Sequence, residues 1–246
     1  MKVYWTPFNL YEETQSVQIS FIEPTPVYAE ISKQREASVF LNCPAFLDSC
    51  KNTFVIKSPW TFKVNIDRKN KYVLTSLPQY IYDEFVQNRA HEISDNDPYL
   101  ISLPPRYVFY SYDDIEMEII PCFLTNTIEN LRVIPGRYNI SKWIRPMDFA
   151  CEIIDDTKEI NFKENDPIFY VRFYTKNKEK VILERVEQSP RLKKTMQACI
   201  QLKKENQGKI KHFKYLYNRA ESFINLFKQK EIKEKKCPFD FLHRRK

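Results

Sequence analysis

A cysteine beside a lysine, Cys50-Lys51, is the nearest this chain comes to an activated nucleophile. A neighbouring ammonium favours the thiolate. A thiolate mechanism also needs a histidine base, and the three histidines, His91, His212 and His243, stand in contexts that offer none. The surrounding segment, CPAFLDSCKN, reads as a loop between two strands, with Asp48 and Asn52 hydrogen-bonding their own backbone. The sharper alternative is a binding loop that uses Asp48, Lys51 and Asn52. In KWIRPMDF, Trp143, Arg145 and Asp148 bring an indole, a guanidinium and a carboxylate within six residues. Either an Arg–Asp pair pins a strand end there, or a planar ligand stacks on Trp143 and is clamped by Arg145. Asp113, Asp114, Glu116 and Glu118 suggest a cation site. Positions 114, 116 and 118, however, alternate with Ile115, Met117 and Ile119 as strand residues do. There is no CxxC and no HxD or HxE, so no metal and no cofactor are expected.

Glycine narrows the chemistry further. It occurs twice in 246 residues, at Gly136 and Gly208. Glycine-rich phosphate loops and nucleophile elbows need it at close spacing, so nucleotide-binding loops of those kinds are excluded. Part of the scarcity reflects an AT-rich codon profile, in which Lys, Ile, Asn, Tyr and Phe are abundant. Fifteen prolines remain and mark positions where geometry demands them.

The net charge of +7 is unevenly spread. Residues 1–187 carry 22 Lys and Arg against 27 Asp and Glu, a balance of −5; residues 188–246 carry 17 against 5, a balance of +12. This predicts a body over 1–187 and a basic helical extension over 188–246. No apolar run reaches transmembrane length, and MKVYWTPFNLYEETQ lacks the apolar core of an export signal. A cytoplasmic setting with six reduced and mostly buried cysteines is therefore expected.

The body reads as β. TFVIKSP, TFKVNID, KYVLTSLP, VYAEI, EINF, PIFYVRFYT and KVILERV are short runs rich in β-branched and aromatic residues, closed by Pro, Asn or Asp. RYVFYSYDDIEMEIIPCFLT holds two more. About ten antiparallel strands are expected, as a sandwich or jelly-roll-like body. Without glycine for primed hairpins, the loops must be built on Pro, Asn and Asp, as in KENDPIF and IPGRY. One helix is expected in this region, over 81–93.

The period changes at Ser189-Pro190, a serine cap followed by proline at the first helical position. One helix follows and stops near Gly208. A second carries Ile210, Phe213, Tyr217, Ala220, Ile224 and Phe227 on one stripe. Three readings stay open. The stripe docks on the acidic body, it joins two copies through Phe213, Tyr217, Ile224 and Phe227, or the helices bind nucleic acid through Lys203, Lys204, Lys209 and Lys211.

GRYNISKWIRPMDFACEI followed by INFKENDPIFYVRFYT resembles a motif of a family of uncharacterised proteins common in tailed phages of marine bacteria. Asn165 stands where that family has a turn glycine. CPAFLDSCKNTF is similar to the family's Cys-Pro segment, and the resemblance covers most of residues 15–205. It implies a phage protein, in the host cytoplasm or the virion, with no activity to carry over. The same hairpin is more distantly similar to the last strands of the β-clip fold of dUTPases and dCTP deaminases. The Arg-Ser-Ser segment and glycine-rich tail of those enzymes are absent here. The leading expectation is a non-catalytic protein that binds another macromolecule. The alternatives are a small-molecule enzyme of β-clip or cupin-like fold and a nucleic-acid-binding accessory factor.

Overall fold

Runs of Val, Ile, Phe and Tyr form the strands of a mainly β protein, seen in a computed structural model. It describes residues 1–8, 21–33, 41–67, 72–77, 87–88, 99–103, 106–124, 128–147, 149–155, 157–206, 209 and 212–236. Among them are fifteen strands and four helices. The longest strand, β14 (Pro167–Tyr174), is buried along most of its length, as a strand covered on both faces must be. It lies at the centre of a five-stranded sheet with β11 (Gly136–Asn139), β9 (Glu116–Ile120), β3 (Thr53–Lys57) and β2 (Thr25–Pro26), ordered β11-β9-β14-β3-β2. In β9 Met117 and Ile119 point inward, while Glu116 and Glu118 sit on the wetter face. Glu116 pairs with Arg137, and Glu118 accepts from the Tyr174 hydroxyl.

Three smaller sheets complete the body. β15 (Ile182–Arg185), β1 (Lys2–Pro7) and β8 (Tyr107–Tyr110) form one; β13 (Ile160–Phe162), β4 (Phe62–Asp67) and β5 (Tyr72–Thr75) another. The last runs β10 (Leu131–Val133), β12 (Phe149–Ile153), β7 (Tyr99–Leu103) and β6 (Gln87–Asn88). β4 alternates as its sequence predicts, with Phe62 and Val64 buried and Lys63 and Asn65 exposed. Pairing is antiparallel except between β1 and β15, which run parallel. Among the described residues no sheet closes into a barrel.

Two expected elements change type. VYAEI is the short helix α1 (Val27–Ile31), and CPAFLDSC contains the helix α2 (Pro44–Cys50). Apolar residues four apart share a face in a helix as well as in a strand, so a five-residue window cannot separate the two. Proline at the first position of α2 is a helix start rather than a loop mark. Both helices cover the outer face of the five-stranded sheet, where Val27, Ile31 and Cys50 meet Val55 and Tyr170. Most of the helix expected over 81–93 lies outside the described residues. Within it Gln87–Asn88 is β6, hydrogen-bonded to β7, so pairing overrides a weak helical pattern. In IPGRY, Gly136 begins β11 instead of making a hairpin turn, and the chain passes there from one sheet to another.

The C-terminal helices follow the sequence closely. Ser189 Oγ accepts from Leu192 N at 3.1 Å and Pro190 opens α3 (Pro190–Glu205). Asn206 ends α3, its amide donating to Leu202 O at 2.8 Å, two residues before Gly208, which lies outside the described residues. α4 (Phe213–Lys236) follows. Leu192, Met196 and Cys199 of α3 and Leu216, Ala220, Ile224 and Phe227 of α4 belong to the same core cluster as the strands of the body.

Candidate functional site

Asp48, Lys51 and Asn52 meet at the junction of α2 and β3. Lys51 Nζ donates to Asp48 Oδ1 at 2.8 Å, and Lys178 Nζ stands 3.9 Å from the other carboxylate oxygen. The hydrogen bond from Lys51 is the main reason that the Asp48 carboxyl titrates below its usual range. With the ammonium turned to Asp48, burial dominates at Cys50 and its thiol pKa is raised. The activated thiolate considered for Cys50-Lys51 is therefore not what the structure shows.

Asn52 acts as a backbone clamp. It adopts φ 52°, a left-handed conformation that asparagine tolerates better than most residues. Its amide donates to Glu179 O at 2.8 Å, and its Oδ1 accepts from Val181 N at 2.8 Å. Its own carbonyl accepts from Phe173 N at 2.9 Å. These bonds fix the segment between β14 and β15 against the start of β3.

The clamp forms one wall of a groove of about 850 Å³, built from residues 23–29, 50–54 and 178–183. Pro24, Pro26, Tyr28, Phe54, Ile182 and Leu183 give it an apolar lining, and Lys51, Lys178 and Lys180 stand along it. Tyr28 and Ile182 are more than half exposed, at 52% and 56%. Among the described residues β15 is an edge strand. Ile182 N donates to Met1 O and Val186 N to Trp5 O, so by alternation the backbone of Leu183 faces away from β1. Sequence reasoning missed Tyr28 and Ile182, whose local patterns are ordinary.

An ion pair fastens the helix beside this groove. Lys57 Nζ lies 3.0 Å from Glu30 Oε2, with Thr25 Oγ1 donating to Oε1 at 3.0 Å. Burial alone would raise the Glu30 pKa. The Lys57 and Thr25 hydrogen bonds and the charges of Lys57 and Lys33 outweigh it, so the carboxyl titrates below its usual range. A depressed carboxylate pKa stabilises the fold above its unfolded value, and that stability is lost as pH falls through the folded value. Acid melts should therefore show a loss beginning below about pH 5. Glu30→Gln should flatten that part of the stability–pH curve; an unchanged curve would refute the role given to the pair.

The Trp143 cluster has a different role from a ligand clamp. Trp143 is wholly buried in the main core, so no ligand stacks on its ring from solvent. The Arg145 guanidinium lies over the Tyr138 ring, 5.3 Å from its centroid. Asp148 lies outside the described residues. Among the stripe residues, Ile224 and Phe227 are buried in the same core cluster as the chain's own strands. Tyr217 accepts from Asn139 N at 2.8 Å, and Phe213 stacks between Tyr138 and Tyr217 while 38% exposed. Lys203, Lys204 and Lys209 are exposed, and Lys211 lies outside the described residues. Among the described residues no three His, Cys, Asp or Glu side chains stand together as a metal site, and no helix is long and apolar enough to cross a membrane.

The chain matches no protein-family model, and no curated protein is similar enough to it in sequence to count as a relative.

Proposed function

We propose that the chain is a non-catalytic binding protein, and that its groove takes an extended acidic segment of another protein as an added strand on β15. The observation that carries this reading is the outer edge of β15, with Leu183 facing an apolar groove along which three lysines stand. A free sheet edge supplies main-chain hydrogen bonds to an extended peptide, and alternate side chains of the guest enter the apolar lining. Among the described residues that line the groove, Lys51, Lys178 and Lys180 stand against the single carboxylate of Glu23, with Asp48 pairing Lys51 and Lys178 at its rim, which favours an acidic guest. Apolar side chains and lysines are the means of recognition rather than of proton transfer.

The same reading takes the body as a sandwich-like scaffold. Support comes from the shared core of the five-stranded sheet and the β15-β1-β8 sheet, where Phe109 meets Phe173 at 5.5 Å between ring centroids. The motifs within residues 15–205 that resemble those of a tailed-phage family are the ground for placing the partner in virion assembly or on a host target.

A peptide array read by fluorescence anisotropy tests the proposal. Peptides that alternate apolar and acidic residues should bind, and their lysine counterparts should not. Ile182→Ser, at an exposed position, should weaken binding about tenfold or more. Leu183→Pro, which removes the outward N–H, should abolish it. No binder in the array, or binding indifferent to both substitutions in folded protein, would overturn the reading.

A further inference from the structure

A second cleft, of about 510 Å³, lies between α4 and the turns that follow β8 and β11. α4 presents Lys214, Tyr217, Glu221, Ile224 and Lys228 to it, residues three or four apart that share one helix face. The body adds Tyr112, Asp114, Ser141 and Lys142.

The charges at the Lys228 end do not balance. Asp114 accepts from the Asn139 amide at 2.6 Å and stands 3.3 Å from Lys142 Nζ and 3.7 Å from Lys176 Nζ. Lys228 reaches in from α4, and its ammonium donates to Tyr112 O at 3.4 Å. Among the described residues it has no ion pair. Asp113, which is exposed, is the next carboxylate to influence it. Of the residues that line the cleft, Lys142, Lys214 and Lys228 outnumber Asp114 and Glu221. An ammonium has three protons to donate, and Lys228 commits one to a long bond. Burial, the main influence on it, lowers its pKa, which is the mark of a desolvated cation short of negative charge.

We propose that this cleft binds the phosphate of a phosphorylated small molecule. Lys228 and Lys142 hold the phosphate oxygens, and the Asn218, Glu221 and Asn225 side chains further along α4 meet the hydroxyl groups of the remainder. The volume suits a ligand of that size. The site is separate from the β15 groove and shares no lining residue with it, so either proposal can fail without the other.

Calorimetric titration of the full chain at low salt tests this, with ribose 5-phosphate, inorganic phosphate and ribose as probes. Ribose 5-phosphate should bind, inorganic phosphate should bind at least as a competitor, and ribose should not bind. If inorganic phosphate binds as tightly as the sugar phosphate, the site is still a phosphate site and its natural ligand is the free ion. Lys228→Gln should weaken binding about tenfold, as loss of a charge-assisted hydrogen bond does. Lys142→Gln should weaken it as well, while Lys209→Gln, outside the cleft, should leave it unchanged. Thermal melts establish that each variant is folded. As a readout independent of substitution, acetic anhydride labelling of Lys228, mapped by mass spectrometry, should be slowed by ribose 5-phosphate. The proposal is overturned if neither phosphate compound binds the native chain, or if binding survives Lys228→Gln and Lys142→Gln unchanged.

Discussion

Phe227→Asp is expected to unfold the chain, while Phe213→Asp leaves it folded. Both residues lie on one apolar stripe of α4, but the body treats them differently. Phe227 is 2% exposed and meets Tyr110 edge-to-face, with 5.6 Å between ring centroids. Removing a buried phenyl ring costs about 3–5 kcal/mol, and a carboxylate left there without a partner adds several more. That sum is comparable to the whole stability of a typical domain, about 5–15 kcal/mol. Phe213 is 38% exposed and touches the body through stacking on Tyr138, its other ring contact being Tyr217 of its own helix. Its loss forfeits about 0.5–1.5 kcal/mol per ring contact, and its carboxylate can reach water. Denaturant unfolding followed by circular dichroism separates the two cases. A Phe227→Asp variant that melts like the native chain would mean that α4 does not dock on its own body.

The stripe was legible because helical periodicity persists over four turns, and the Ser189-Pro190 start because capping is a local device. β4 and β9 were legible for the same kind of reason, since each alternates cleanly. β1 was not. Val3, Tyr4, Trp5 and Thr6 are all buried, so no alternation marks the strand, and its parallel partner β15 lies some 180 residues away. The Trp143 segment was legible only as two alternatives. Three side chains within six residues allowed either a pinned strand end or a ligand clamp, and the chain turns the indole into the core, which no spacing reveals. Glycine scarcity was informative in part. It excluded primed hairpins, and KENDPIF was marked as a turn. Among the described residues other than glycine, asparagine takes three of the four left-handed positions instead, with φ 69° at Asn165, 68° at Asn130 and 52° at Asn52, and Lys178 takes the fourth at 55°. The β15 groove was illegible as a whole because its walls come from three distant segments. Lys51 and Asn52 were picked out for their chemistry, without sight of the surface they border.

Asn52→Ala is expected to cost about 3–5 kcal/mol, more than any exposed substitution should. Two separate losses combine. An alanine at φ 52° meets a steric penalty of about 1–2 kcal/mol. The amide bond to Glu179 O and the bond from Val181 N disappear, and Val181, only 4% exposed, is left with a backbone donor that water reaches poorly. Asn52→Gly removes the steric part and keeps the hydrogen-bond part, so it should fall between the native chain and the alanine variant. Asn52→Asp keeps the acceptor for Val181 N but sets a carboxylate oxygen against the Glu179 carbonyl. It should therefore retain less stability than the native chain at neutral pH and recover some on acidification, when the protonated carboxyl can donate. Equilibrium unfolding in urea gives all three values. An alanine variant as stable as the glycine variant would mean that the left-handed geometry is not adopted in solution. Because this clamp sets the segment between β14 and β15 against β3, the same variants should also weaken peptide capture in the groove. That loss should track the hydrogen bonds removed rather than the steric strain. Glycine and alanine at position 52 would then differ in stability yet weaken capture alike.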